Sequence, residues 1–137
     1  MNGKAAYLDS SAFLKLVVTE PESGALHRFM QLWPQRASAT LPKTEVIRAL
    51  RRAGYESRVG AARRLIGSIR LISLDEPLLD RAGELDPRDL RSLDAIHLAA
   101  ALAIGSDLGV LLTYDERLES AARERGMPVQ SPGLKRP

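Results

Sequence analysis

The chain has 137 residues, enough for one domain with one hydrophobic core. Its 45% hydrophobic and 27% charged residues are the composition of a soluble globular protein, and so few aromatics leave the core to Leu, Ile, Val and Ala. The absence of Cys excludes disulfides, thiolate metal sites and cysteine nucleophiles, no apolar run approaches the roughly 18 residues of a membrane span, and the net charge of +3 is mild. The start, MNGKAAYLDSSAF, shows Lys4 but no apolar leader core before Asp9, so a cytoplasmic protein is expected.

AAYLD (5–9) reads as a buried strand running into a helix, SSAFLKLVV, with Phe13, Leu16 and Val17 at helical spacing. PESGALHRFMQLW (21–33) reads as a second helix between Pro21 and Pro34. RASAT (36–40) is a strand, and PKTEVIRALRRAG (42–54) a helix with Pro at its start and Gly past its end. Ser57 can cap a further helix to about Ser68, and RLISL (70–74) is a strand. SLDE (73–76) and TYDE (113–116) match capping boxes that open helices. Between them lie a helix over 92–105 and a strand, GVLLT (109–113); MPVQ (127–130) is a short last strand. Strands alternating with helices, apolar throughout, predict a three-layer α/β/α sandwich on a mostly parallel sheet of four to five strands. Residues 1–131 form a single domain in this reading, and 132–137 a frayed tail.

Charge is unevenly spread. Residues 48–70 hold seven Arg, including Arg48, Arg51 and Arg52, against one acid, Glu56; residues 75–94 hold seven acids against three Arg. This suggests a polyanion-facing surface beside an acidic site, although two solvated helix faces would give the same pattern.

Ligands of parallel sheets bind beyond the carboxyl ends of the strands. Asp9 ends the first strand, Glu45 and Asp94 lie in the first turns of their helices, and Asp115 follows the fourth strand. Singly, such acids can be no more than dipole-favoured first-turn residues, worth about 0.3–1 kcal/mol each. Together they would repel, by about 4 kcal/mol per pair at 4 Å and an effective dielectric near 20. A cluster of four therefore calls for a cation, and oxygen ligands without Cys favour Mg²⁺ or Mn²⁺. Ser11 could hold a metal-bound water or cap the first helix. In the helix SLDAIHLAAAL, Leu93, Ile96, Ala100 and Ala103 form the expected apolar stripe, with Ser92 as cap. His97, one turn after Asp94, is read as a satisfied structural histidine and Lys15 as a solvated charge. LDSS resembles the start of haloacid-dehalogenase phosphatases, but Ser stands at position 11, where their second Asp would fall.

YLDSSAFLKL (7–16), TEVIRAL (44–50), RSLDAIHLAAAL (91–102) and LLTYDERL (111–118) together resemble the PIN-domain family, and within it the VapC-type toxins of bacterial toxin–antitoxin pairs. The resemblance covers essentially the whole chain. It implies a PIN-like fold and metal-dependent RNA cleavage, with Asp9, Glu45, Asp94 and Asp115 as the acidic quartet holding Mg²⁺ or Mn²⁺. Ser11 and Thr113 match the family's hydroxyl positions, and Glu116 could share the role of Asp115. It also implies an antitoxin partner, a homodimer, and operator DNA reached through the antitoxin. The alternatives are a housekeeping PIN nuclease for RNA maturation and a non-catalytic receiver-like Mg²⁺ module. A receiver would want paired acids after the first strand, where DSS supplies only one, and a Lys directly after the last, where MPVQSP has none.

Overall fold

A computed structural model describes residues 3–135. Among these residues five strands, β1 (Ala5–Leu8), β2 (Arg36–Ala39), β3 (Arg70–Ile72), β4 (Leu108–Leu112) and β5 (Val129–Gln130), form one parallel sheet in the order β3-β2-β1-β4-β5. Seven α-helices join them: α1 (Ser10–Val17), α2 (Ser23–Met30), α3 (Pro42–Arg52), α4 (Val59–Gly67), α5 (Glu76–Glu84), α6 (Ser92–Ile104) and α7 (Glu116–Glu124). The expected three-layer sandwich is the observed architecture, with all five strands parallel.

Side chains of a strand alternate between faces. Ala6 and Leu8 of β1, with Val110 and Leu112 of β4, pack under α1–α4; Tyr7 and Leu111, with Ala39 and Val129, pack under α5–α7. The central strands β1 and β4 therefore carry no charged residue at any position, because both faces are covered. β2 and β3 lie on one side of β1, while β4 and β5 lie on the other. The strand order thus reverses between β1 and β4, the switch point where such sheets place a ligand crevice.

Several local expectations are corrected. The first helix is capped by Asp9, whose side chain accepts from Ala12 N–H (3.0 Å), and Ser11 is not its cap. In SLDE and TYDE the caps are Asp75 and Asp115, two residues later than a capping box would place them. Each strand stops early enough for an Asp in extended conformation to turn the chain. Ser57 lies inside a 3₁₀ turn (Glu56–Arg58) that feeds α4, whose start carries no side-chain cap. α2 is shorter than expected at both ends. Ser23 Oγ accepts from Glu20 N–H (2.9 Å) and donates to Val18 O (3.0 Å), holding Pro21 in a turn. Arg36 donates to Met30 O (2.8 Å) and Trp33 O (2.9 Å), drawing the last carbonyls of the segment out of a helical ladder.

In α6 the inward residues are Ala95, His97, Leu98, Ala99, Ala100 and Ala101. Leu93 is 46% exposed and Ala103 is also exposed, so the buried face is not the stripe that the spacing predicts. The helix packs against α5, α7 and the sheet at once, so it buries more than one stripe. Ser92 is its first helical residue, not its cap. At the start of the tail expected over 132–137, Pro132 O accepts from Tyr114 O–H (2.7 Å), next to Ser131, which donates to Thr113 O (2.5 Å). Arg136 and Pro137, the rest of that expected tail, lie outside the described residues.

Gly109 of β4 lies under the Trp33 ring. A Cβ added there would stand 2.3 Å from Trp33 Cζ3 and 2.5 Å from Cη2. Trp33 stacks on Phe29, so the indole cannot simply swing away. Gly109→Ala is expected to destabilise the fold by about 1–3 kcal/mol, the usual penalty of overpacking. Thermal denaturation checks this, and Trp33→Leu in the same chain should recover most of the loss.

Candidate active site

The site lies at the carboxyl edge of the sheet, at the switch point. Asp9 follows β1 directly and is buried. Its Oδ1 accepts from Ser11 Oγ (2.6 Å) and Ala12 N–H, and its Oδ2 from Thr113 Oγ1 (2.5 Å). Burial pushes its carboxyl above the usual carboxylate range, against the opposing pull of His97 and these donors. Ser11 Oγ in turn accepts from Tyr114 N–H (2.8 Å), and Thr113 Oγ1 from Asp115 N–H (3.0 Å). Both hydroxyl positions therefore knit the end of β1 to the end of β4.

Glu45 lies in the first turn of α3. Its Oε1 accepts from Ser10 Oγ (2.6 Å) and His97 Nε2 (2.9 Å), while Oε2 makes no hydrogen bond among the described residues. Burial would raise its carboxyl, but the bonds from His97 and Ser10 hold it below the usual range. Asp115 caps α7, taking Arg117 N–H (2.8 Å) and Leu118 N–H (3.2 Å) on Oδ1, while Oδ2 makes no hydrogen bond among the described residues.

Asp94 differs from the other three. It sits partly buried in the first turn of α6, with no side-chain hydrogen bond and no ion pair among the described residues. Burial, then the negative charges of Asp115 and Asp9, push its carboxyl up; His97 opposes this, and Glu45 adds to it. Asp94 thus feels the charge of the other three expected acids, which reach this edge of the sheet from the end of β1, from α3 and from the cap of α7. Among the described residues no Lys or Arg pairs with any of the four acids. The carboxylates are not drawn into a closed cage: among the described residues, no three His, Asp or Glu side chains already stand at metal-holding geometry. The donor chemistry nonetheless fits a hard divalent cation, since unbonded carboxylate oxygens remain on Asp94, Glu45 and Asp115.

Glu116 is exposed and faces the outer groove of α7 with Glu119, Ser120 and Arg123, so it is not brought into the group. Lys15 is not a solvated charge. It pairs with Glu22 and Glu20 (3.6 Å) and lies 5.3 Å above the Tyr114 ring. His97 is buried and satisfied as expected, but its carboxylate partner is Glu45, and its Nδ1 meets Tyr7 O–H (2.8 Å). Ser10 and Tyr7 are contributors that sequence spacing does not suggest. Both lie beside Asp9 in sequence, yet their partner residues are 35 and 90 positions away.

Comparison with known proteins agrees with this architecture. The PIN domain family profile matches residues 6–124. Ribonuclease VapC46 of Mycobacterium tuberculosis is 50% identical over 93% of this chain and 98% of its own. Ribonuclease VapC47 of the same organism is 39% identical over 95% and 98%. Among solved structures, M. tuberculosis VapC20, described as a sarcin-ricin loop cleaving toxin, superposes with a TM-score of 0.71 over 85% of this chain and 94% of that one; at 19% identity this likeness speaks for the fold alone. A family profile over nearly the whole sheet, with full-length relatives of this similarity, places the chain in the PIN-domain family, in its VapC branch.

Proposed function

We propose that the chain is an endoribonuclease that cleaves RNA phosphodiester bonds with a divalent cation, Mg²⁺ or Mn²⁺, and that it is the toxin of a toxin–antitoxin pair acting in the cytoplasm. The acting unit is the single domain of residues 1–131. The observation that carries this reading is Asp94: a partly buried carboxylate without side-chain hydrogen bond or ion pair among the described residues, held in the first turn of a helix under the charge of three other acids. An arrangement so costly in repulsion is explained by a cation. The names of the relatives, Ribonuclease VapC46 and VapC47, support the reaction class.

Asp94, Glu45 through Oε2 and Asp115 through Oδ2 offer the free oxygens that would hold the ion, and Asp9 supplies charge at the floor of the site. When bound, the cation lowers the pKa of a water and stabilises charge on the scissile phosphate. The protein's own contribution is placement. Asp9 is fixed by three donors, Glu45 by two and Asp115 by its helix amides, so the carboxylates are oriented before substrate arrives.

Arg48 and Arg52 lie three and seven positions beyond Glu45 on α3, hence on the same helix face, and both are exposed. Arg51 is turned further from that face. Arg48 and Arg52 would hold the RNA backbone leading to the acids, positioning it without reading sequence. The reading extends to partners. An antitoxin peptide fits the apolar cleft of Leu14, Val18, Leu50 and Tyr55 between α1 and α3, beside the helix of Glu45. Exposed Leu79 and Leu93 on α5 and α6 support a homodimer, and operator DNA would be reached through the antitoxin.

Asp94→Asn is expected to lower RNA cleavage by on the order of a hundredfold or more while circular dichroism stays unchanged. Undiminished cleavage by the folded variant would sink the site. A chelator should abolish cleavage, and added Mg²⁺ or Mn²⁺ should restore it; activity that survives chelation removes the cation from the reading. Arg48→Ala and Arg52→Ala should each raise KM for RNA and flatten the dependence of log K on log salt by roughly 0.7 for each phosphate left unneutralised. Arg51→Ala should do less of both, and equal effects from all three would dissolve the track into general basicity.

A further inference from the structure

Behind the acids runs a buried chain of hydrogen bonds that the proposed reaction does not use. Ala39 N–H, at the end of β2, donates to the Tyr7 hydroxyl oxygen (3.2 Å). Tyr7 O–H meets His97 Nδ1 (2.8 Å), and His97 Nε2 meets Glu45 Oε1 (2.9 Å). Ser10 O–H donates to that same Oε1 (2.6 Å) and lies 3.4 Å from Nε2. With Tyr7 donating to Nδ1 and Nε2–H donating to Glu45, every hydrogen in the chain has an acceptor. Tyr7 and His97 are buried and meet edge to face, with ring centroids 5.9 Å apart, so neither ring is free to turn.

Both bonds to Glu45 fall on one oxygen. We propose that Tyr7, His97 and Ser10 form a clamp on Glu45 Oε1 that fixes the carboxylate plane and presents Oε2 to the divalent cation, making His97 and Tyr7 positioning residues of the nuclease site. The inference rests on the cation reading above and deepens it. A buried imidazole in a polar site could instead serve stability alone. Geometry argues for the clamp: Glu45 is otherwise a flexible side chain at a helix start, and among the described residues its only side-chain hydrogen bonds are these two. Partners that orient a ligating carboxylate in this way are worth roughly ten- to a hundredfold in metal affinity or activity.

The test is a double-mutant cycle on the full chain, read by Mn²⁺ binding in calorimetry and by RNA cleavage. His97→Leu should weaken Mn²⁺ binding roughly tenfold or more and lower kcat, with KM for RNA nearly unchanged. His97→Gln, which keeps a donor near the Nε2 position, should recover most of both. Tyr7→Phe should give an intermediate loss, and it keeps the test available if His97→Leu does not fold. Adding His97→Leu to Glu45→Gln should cost little further, because the clamp then has no carboxylate to hold. Losses that multiply independently in the double variant, or a folded His97→Leu protein with wild-type Mn²⁺ affinity, overturn the clamp alone. A Glu45→Gln protein that binds Mn²⁺ and cleaves RNA like the wild type overturns the cation reading and the clamp with it.

Discussion

The buried carboxylate of Asp9 is tied to the end of a neighbouring strand, and much of the site follows from satisfying it. A charge at the carboxyl end of the central strand is stable only if donors replace water. One donor is Ala12 N–H, from the helix that Asp9 itself starts, and the others are the hydroxyls of Ser11 and Thr113. Those hydroxyls then accept from Tyr114 N–H and Asp115 N–H. Meeting the needs of Asp9 therefore fixes the turn out of β4, and with it the position of Asp115. Lys15 and the tail brace the same turn, through the Tyr114 ring and the bonds to Thr113 O and from Tyr114 O–H.

Three strands are followed by an Asp that caps the next helix: Asp9 after β1, Asp75 after β3 and Asp115 after β4. Locally they are the same device. Asp75 accepts from Leu78 N–H (3.0 Å) much as Asp9 does from Ala12 N–H. What separates them is the sheet. β3 is an edge strand, whereas β1 and β4 are neighbours across the reversal of strand order. Only there do two such caps face one crevice, joined by Glu45 and Asp94 from either layer of helices.

This explains what could be read from sequence and what could not. Alternation of short apolar runs with amphipathic segments marked out the layers and the sheet, because covering both faces excludes charge from the central strands. The choice of acids was legible because strand ends and first turns are local features. Helix caps were not. SLDE and TYDE both match the capping-box pattern, yet in each the Asp takes the cap, and the Thr113 hydroxyl is engaged by Asp9 instead. Nor could the inner face of α6 be read. A helix rich in Ala, packed on three neighbours, has no single stripe, and its true inward set includes His97 while leaving Leu93 in solvent.

Asp94 and His97 show how far spacing misleads in such a helix. Three positions apart, they look like a ligand pair, but the helix separates their tasks. Asp94 has no side-chain partner among the described residues and lies under the charges of Asp115 and Asp9. His97 points inward, where the Tyr7 hydroxyl holds one ring nitrogen and Glu45 takes the other. The helix thus presents the Asp94 carboxylate to the crevice from its first turn and, one turn on and from behind, steadies a second carboxylate carried by α3. Leu98, Ala99 and Tyr7 are buried in one cluster, which seats α6 on the sheet where His97 meets Tyr7. Ala99 is buried in the same cluster as Tyr7, so the small residues on this face of α6 belong to the construction of the site as much as the acids do.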